Sequence, residues 1–180
     1  MTRRLGLVLC TVLLILPLMG TTSYAGEKPI YMKFAGTVAD TSFDVIGPDG
    51  FVAALVETDA KGSFGARSLS VLTEFVPTGS LCDNNENVIY LSIGYGEAVT
   101  TFAKADQLLG STHGGFMCLN VITGDFYGET EGMWDGGTGR FAHATGPFFV
   151  RFSGKNMTAS KLGVGFGAIH GKVKGRIKLH

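Results

Sequence analysis

The sequence predicts an all-β domain, most simply a closed antiparallel barrel of about eight strands. Short runs rich in β-branched and aromatic residues alternate with turn signals after residue 25. No stretch of that region carries the long 3.6-residue periodicity of an amphipathic helix. The last run has glycine at alternate positions, and closing a small barrel requires such bends and small inward residues. These glycines are Gly163, Gly165, Gly167, Gly171 and Gly175, which share a parity with Ile169, Val173, Ile177 and Leu179.

The predicted strands follow one another along the chain, with turns between them. Residues 64–76 also fit a short helix, but the alternation from Ser68 to Val71 favours a strand. Residues 88–96 alternate so that Ile93 and Tyr95 share one side of their strand. The predicted strands are residues 30–45, 51–58, 64–76, 88–96, the two arms of a hairpin over 98–109, 116–123, 126–134, 141–152 and 161–179. Turns are predicted at 47–50, 59–62, 77–80, 104–106, 124–125 and 154–156, with a polar loop at 83–87.

The first 25 residues have the pattern of a cleaved secretory signal peptide. Arg3 and Arg4 precede an apolar run over residues 5–19, and Ser23-Tyr24-Ala25 fits a cleavage site. A membrane anchor is the alternative, but the run is shorter than the roughly 18–20 apolar residues of a spanning helix. We expect cleavage to leave residues 26–180 as one domain, periplasmic or extracellular, with no integral membrane segment.

The net charge of the chain argues against a nucleic-acid-binding domain and against a disordered chain. Removing Arg3 and Arg4 with the signal leaves 13 basic and 15 acidic residues, a net charge of −2. Such a balance has neither the basic field of a nucleic-acid-binding domain nor the high charge of a disordered chain. Nucleic acid is therefore not an expected partner.

Cys82 and Cys118 are the two cysteines that remain after the predicted cleavage. An even number of cysteines in an exported chain predicts a disulfide. Such a bond would stabilise the fold by roughly 4 kcal/mol in the chain-entropy model. Two separate buried thiols are the alternative. A metal site is not predicted, because neither cysteine has a CxxC partner or a nearby histidine.

The most distinctive segment of the chain runs from Trp134 to Gly146 and contains the string GGTGRFA. Gly136, Gly137 and Gly139 predict a structural turn, because glycine adopts positive φ without steric penalty. Its backbone amides could also form an anion-binding nest. A phosphate loop is excluded, because the required lysine and the following helix are both missing. A dinucleotide-binding turn is excluded, because no βαβ pattern surrounds the glycines.

The string GGTGRFA-x-ATG resembles a signature of small exported bacterial proteins with a barrel like those of allene oxide cyclases and dirigent proteins. Allene oxide cyclases isomerise a fatty-acid epoxide inside an apolar barrel, and dirigent proteins steer the coupling of phenoxy radicals. Barrels of this class often trimerise, so the resemblance implies a homo-oligomer. The sequence departs from the pattern at Ala105 and His143, where similar proteins commonly carry glycine. No functional residue of either family maps onto this chain.

Four residues are the candidates for binding a ligand: His143, Arg151, Glu129 and Trp134. His143 shares a parity with Phe141 and Thr145, so the three would lie on one face of a strand. That face is predicted to line the barrel interior. Glu129 and Glu131 could serve acid–base chemistry if buried together, although such pairs more often face water. The thirteen phenylalanines of the chain could line an apolar cavity or simply fill the barrel.

These observations predict an exported, non-enzymatic barrel that binds a small apolar ligand or a partner. The alternatives are an isomerase or cyclase working in the barrel interior, and a structural protein that oligomerises. The sequence contains no catalytic or metal-binding motif, so no cofactor is expected. The basic residues of the last strand could contact anionic lipid or glycan, or form a solvated face. They are Lys172, Lys174, Arg176 and Lys178.

Overall fold

Eight antiparallel strands close into a barrel in which every strand pairs with its neighbours in sequence and the last pairs with the first. The computed structural model describes residues 26–41, 52–159 and 165–180. The predicted all-β barrel is thus confirmed. The predicted signal peptide and the turn at 47–50 lie outside the described residues. The strands are β1 (Lys28–Asp40), β2 (Val52–Gly62), β3 (Ala66–Leu81), β4 (Val88–Phe102), β5 (Gln107–Asn120), β6 (Phe126–Gly137), β7 (Thr145–Ala159) and β8 (Gly165–Ile177).

Several strands are longer than predicted, and the turns predicted at 59–62, 77–80 and 154–156 are wrong. Residues 59–62 pair with β1, and residues 154–155 pair with β8. Residues 77–80 belong to β3, where the register with β4 shifts between Pro77 and Leu81. Residues 107–120 form one strand rather than a hairpin arm and a separate strand. All of these differences have one cause. Closure of the barrel gives every strand two hydrogen-bonded edges, so strand pairing outweighs the local preference for a turn.

Tyr95 lies on the opposite face of β4 from the predicted one. Ile93 is buried inside the barrel, whereas the Tyr95 side chain is exposed. The register between β3 and β4 shifts at this point, because Thr73 pairs with Gly96 while Phe75 pairs with Ile93. A β-bulge of this kind inserts one residue and moves the following side chains to the other face.

The barrel interior is built from phenylalanines that lie over glycines of the adjacent strand. In each of four directly opposed pairs, a Cβ added to the glycine would lie within 2.5 Å of the phenylalanine ring. The glycine thus leaves the space that the ring occupies, and this packing explains why the chain combines many phenylalanines with alternate glycines. The pairs are Phe34–Gly171, Phe126–Gly154, Phe152–Gly128 and Phe148–Gly132.

Three short 3₁₀ turns connect strands at one end of the barrel: Ser63–Gly65, Ala103–Ala105 and Gly139–Phe141. The predicted turn near residues 104–106 is confirmed, as is the polar loop at 83–87 at the other end. Ala105 occupies the left-handed region with a φ of +61°. An alanine in this conformation is strained by roughly 1–2 kcal/mol.

We expect Ala105→Gly to raise the free energy of unfolding by about 0.5–1 kcal/mol. The substitution relieves the left-handed strain, and this gain exceeds the greater flexibility of glycine in the unfolded chain. Urea unfolding followed by circular dichroism measures the difference. Ala103→Gly is the matched control, because Ala103 is not among the residues with positive φ. It should be neutral or destabilising, and an equal gain in both variants would contradict the explanation.

Candidate functional site

The GGTGRFA string closes one end of the barrel. Gly136 and Gly139 have φ values of +102° and +57°, which turn the chain sharply after β6. Thr138 pairs with Gln107 through its backbone N–H and also accepts a hydrogen bond at Oγ1 from the Gln107 N–H. The turn directs Phe141 into the barrel, where its side chain is 0% exposed. The strand that follows, β7, begins only at Thr145. The prediction of a strand from residue 141 is therefore wrong.

Phe141 packs with two more rings, Phe64 in one neighbouring turn and Phe102 at the end of β4. Its centroid lies 4.5 Å from that of Phe102 and 5.7 Å from that of Phe64. The guanidinium of Arg140 lies over all three rings, 4.9 Å from the Phe141 centroid. Arg140 also pairs with Asp106 at 3.1 Å and donates to the Phe64 carbonyl. These contacts give the string a structural role at this end of the barrel.

The interior holds a cavity of about 70 Å³. It is lined by phenylalanine and aliphatic side chains, by Trp134, and by the hydroxyl-bearing Thr73, Thr112 and Thr130. Each of the three threonine hydroxyls donates to a backbone carbonyl. Trp134 is 2% exposed, and its Nε1 has no hydrogen-bond partner among the described residues. An engineered cavity that binds benzene measures about 150 Å³, so this interior is nearly filled by its own side chains.

A larger concavity lies on the outer wall of the barrel and measures about 620 Å³. Strands β1, β8, β7, β6 and β5 run side by side beneath it, with Gly128 and Gly171 in its floor. A Cβ at either glycine would point into the barrel, towards the Phe152 or the Phe34 ring, so the groove is formed by the longer outward-facing side chains that border it. We call this concavity the wall groove. Its lining includes Lys33, Phe116, Tyr127, Glu129, Arg151, Ser153, His170 and Lys172.

Glu129 and Arg151, two of the predicted ligand-binding residues, form an ion pair in the wall groove. They are direct partners across β6 and β7, and Arg151 Nε donates to Glu129 Oε1 at 2.6 Å. The Arg151 side chain is 72% exposed and that of Glu129 is 33% exposed. A pair at such a position contributes little to stability, typically below about 1 kcal/mol. Its carboxylate and guanidinium are therefore accessible for binding.

Arg151 is one end of a row of four cationic residues that runs across the strands. Lys61 of β2 is directly opposite Lys33 of β1, Lys33 is opposite Lys172 of β8, and Lys172 is opposite Arg151. We call these four residues the basic row. All four are exposed, and within the described residues only Arg151 forms an ion pair. Like charges placed directly opposite one another destabilise a sheet.

A small cluster on the outer surface borders the wall groove and contains the disulfide. Cys82 and Cys118 are bonded, with a Cα–Cα distance of 6.0 Å, which confirms the predicted disulfide. The Tyr90 and Phe116 rings stack beside it at 5.7 Å. Tyr127 donates to Asp83 at 2.6 Å, and this hydrogen bond raises the pKa of the Tyr127 hydroxyl. Together these contacts fix the loop at 83–87 against the groove.

The four predicted ligand-binding residues do not converge on one site. Trp134 lies inside the barrel, whereas Glu129 and Arg151 lie on the outer wall. His143 is exposed beside the turn that closes the barrel end, so its predicted interior position is wrong. The parity argument failed because residues 139–141 form a 3₁₀ turn, in which alternation no longer assigns a face.

The structure also brings together a serine, a histidine and an aspartate that sequence spacing did not reveal. Ser111 Oγ donates to Asp135 at 2.5 Å and lies 3.2 Å from His113 Nε2. In a hydrolytic triad the histidine lies between the acid and the serine, so that it accepts the serine proton and is oriented by the acid. Here the serine lies in the middle, and no acidic side chain among the described residues hydrogen-bonds to the histidine. The cluster is therefore a hydrogen-bonded group on the β5–β6 surface rather than a nucleophile.

The described residues hold no group of histidine, cysteine, aspartate and glutamate side chains suited to a metal ion. In the same part of the chain, no helix has the length and apolar character needed to cross a membrane. No family model matches the sequence, and no curated protein or solved structure matches it either. The resemblance to allene oxide cyclases and dirigent proteins therefore depends on the GGTGRFA-x-ATG string.

Proposed function

We propose that this protein is an exported, non-enzymatic barrel that binds a partner through its outer wall. The observation that carries the proposal is the contrast between the two concavities, about 620 Å³ on the wall and about 70 Å³ inside. Binding sites for small molecules usually measure roughly 300–1,000 Å³. The wall groove falls within that range and the interior does not.

The chemistry of the wall groove also supports binding rather than catalysis. Its cations are exposed, and the half-buried Glu129 carboxylate is held in an ion pair with Arg151. Aromatic and arginine side chains are enriched at recognition surfaces, and Phe116, Tyr127 and Arg151 line the groove.

The disulfide supports the exported location. Disulfides persist in the periplasm and outside the cell and are rare in the reducing cytosol. The Cys82–Cys118 bond and the predicted signal peptide thus agree with each other. The homo-oligomer implied by the resemblance belongs to this proposal as well.

Filling the wall groove should abolish retention of the protein on the surface or matrix of its own cells. Ser153 lines the groove, and Ser153→Leu would place a bulky side chain there. Ser68 lies on β3, away from the groove, so Ser68→Leu is the matched control. We expect wild-type protein and the control to sediment with washed envelope material, and Ser153→Leu to remain in solution. Equal retention of all three proteins, or of none, would contradict the proposal.

A small apolar ligand inside the barrel is the second candidate, and Trp134 is the observation that favours it. Its indole N–H has no partner among the described residues, and its ring lines the interior cavity. A bound molecule with a hydrogen-bond acceptor would satisfy that donor. The chain contains a single tryptophan, so its fluorescence reports on the interior alone. A change in Trp134 emission on adding a fatty acid would favour this candidate over the outer wall.

A further inference from the structure

We infer that the wall groove binds a linear acidic polysaccharide along the basic row. This inference rests on the proposed function and names the chemical class of its partner. The ligand would carry carboxylate or sulfate groups at regular intervals. Its charges would lie over Lys61, Lys33, Lys172 and Arg151, and its sugar rings over the neighbouring aromatic side chains.

The spacing of the basic row suits a repeating anion. Directly opposed residues of an antiparallel sheet have Cα atoms about 4.5–5.5 Å apart. Three such steps separate Lys61 from Arg151, so the row presents one cation per strand over about 15 Å. This interval is comparable to the length of one sugar residue. A chain with a charge on successive residues could therefore meet successive cations.

The row is electrostatically unfavourable in the absence of an anion. Four adjacent cations repel one another, and few acidic side chains lie near the row to offset that repulsion. Glu129 neutralises only the Arg151 end, and Asp59 lies two residues from Lys61 on the same face of β2. Lys33 and Lys172, in the middle, have no acidic partner among the described residues. A polyanion would remove this repulsion, so the row is arranged for a negatively charged partner although the mature chain is slightly acidic overall.

The curvature of the barrel favours a flexible chain over a membrane. The basic row crosses four of the eight strands, β2, β1, β8 and β7, which is half of the closed barrel. A flat lipid surface cannot touch all four positions of such a curved wall at once. A linear polymer can bend around it. The shape of the row therefore selects a polyanion of chain-like form.

Aromatic side chains border the row and supply apolar faces for sugar rings. Phe116 and the 41%-exposed Tyr127 line the groove beyond Glu129. Tyr31 and Phe149 flank the other side of the row, and each is directly opposite Lys174. Both are partly exposed, and the Arg151 guanidinium lies 6.0 Å from the Phe149 centroid. Rings beside cations suit a ligand that has both apolar faces and anionic groups. The disulfide supports an exported location for this surface.

The test is a binding titration of the exported protein with four probes. Polygalacturonate and heparin oligosaccharides carry carboxylate and sulfate groups, oligo(dT) represents nucleic acid, and phosphatidylglycerol vesicles represent an anionic membrane. The row variant is Lys33→Gln/Lys172→Gln. The matched control is Arg67→Gln/Lys104→Gln, which removes two exposed cations away from the groove. Circular dichroism melting verifies that both variants are folded.

We expect one of the two polysaccharides to bind, with an affinity that falls as salt rises. The row variant should raise the Kd about tenfold, whereas the control should change it less than about twofold. Equal weakening in both variants would overturn the inference, because it would mean that only total charge matters. Tighter binding of oligo(dT) or of vesicles would overturn it in favour of those partners.

The outcome also separates this inference from the proposed function. If neither polysaccharide binds while Ser153→Leu still abolishes retention on cell envelopes, the wall groove binds another kind of partner. The ligand class is then wrong and the proposed function stands. If neither polysaccharide binds and Ser153→Leu is retained like the wild type, both are wrong.

Discussion

Replacing Phe141 with alanine is expected to lower the free energy of unfolding by about 4 kcal/mol. Its ring is fully buried and packs against Phe64 and Phe102, so truncation leaves a cavity that the strand ends cannot easily close. Arg140 would also lose the nearest of the three rings beneath its guanidinium. Because domains of this size are stable by only about 5–15 kcal/mol, we expect a large drop in the melting temperature.

Phe166→Ala is the control for this prediction. Phe166 is 53% exposed on the outer face of β8, so its truncation should change stability by less than about 1 kcal/mol. Urea unfolding of both variants and the wild type gives the comparison. Similar losses at the two positions would mean that Phe141 does not close the barrel end as described.

Gly132→Ala is expected to destabilise the barrel by about 3 kcal/mol or more. An added Cβ would overlap the Ser111 carbonyl on one side and approach the Phe148 ring to 2.5 Å on the other. The carbonyl belongs to the paired strand and cannot move without breaking the register of β5 and β6. The strain therefore falls on the backbone, where it is not relieved by rotating a side chain.

Gly114→Ala is the matched control, because Gly114 belongs to β5 and a Cβ there would meet no atom within 4 Å. We expect no loss of stability, since alanine reduces the flexibility of the unfolded chain. Thermal unfolding of the two variants is the measurement. If Gly114→Ala were as destabilising as Gly132→Ala, close packing over the glycine would not be the cause.

The sequence predicted the features that depend on local pattern. Alternate glycines and aliphatic residues in the last strand predicted its inward face, and Ile169 and Val173 are indeed buried. The even cysteine number predicted the Cys82–Cys118 bond. In both cases, parity or composition carries the information without any need for strand register.

Features that depend on register or on a change of local conformation could not be predicted. The basic row joins residues from β2, β1, β8 and β7, and positions as distant as Lys33 and Lys172 become neighbours only through closure. The bulge near Tyr95 inverts a parity that looked regular in the sequence. The interior position predicted for His143 failed for a similar reason, because the turn before it is a 3₁₀ helix rather than a strand.

The central claim is that side chains fill the barrel interior and that binding takes place on the outer wall. Native mass spectrometry of the protein recovered from its exported fraction, combined with Trp134 emission, tests it most directly. We predict that the recovered protein carries no small apolar compound and that Trp134 emission does not change when a fatty acid is added. An apolar compound that dissociates on activation, and whose removal shifts the Trp134 emission, would contradict the claim and place the ligand inside the barrel.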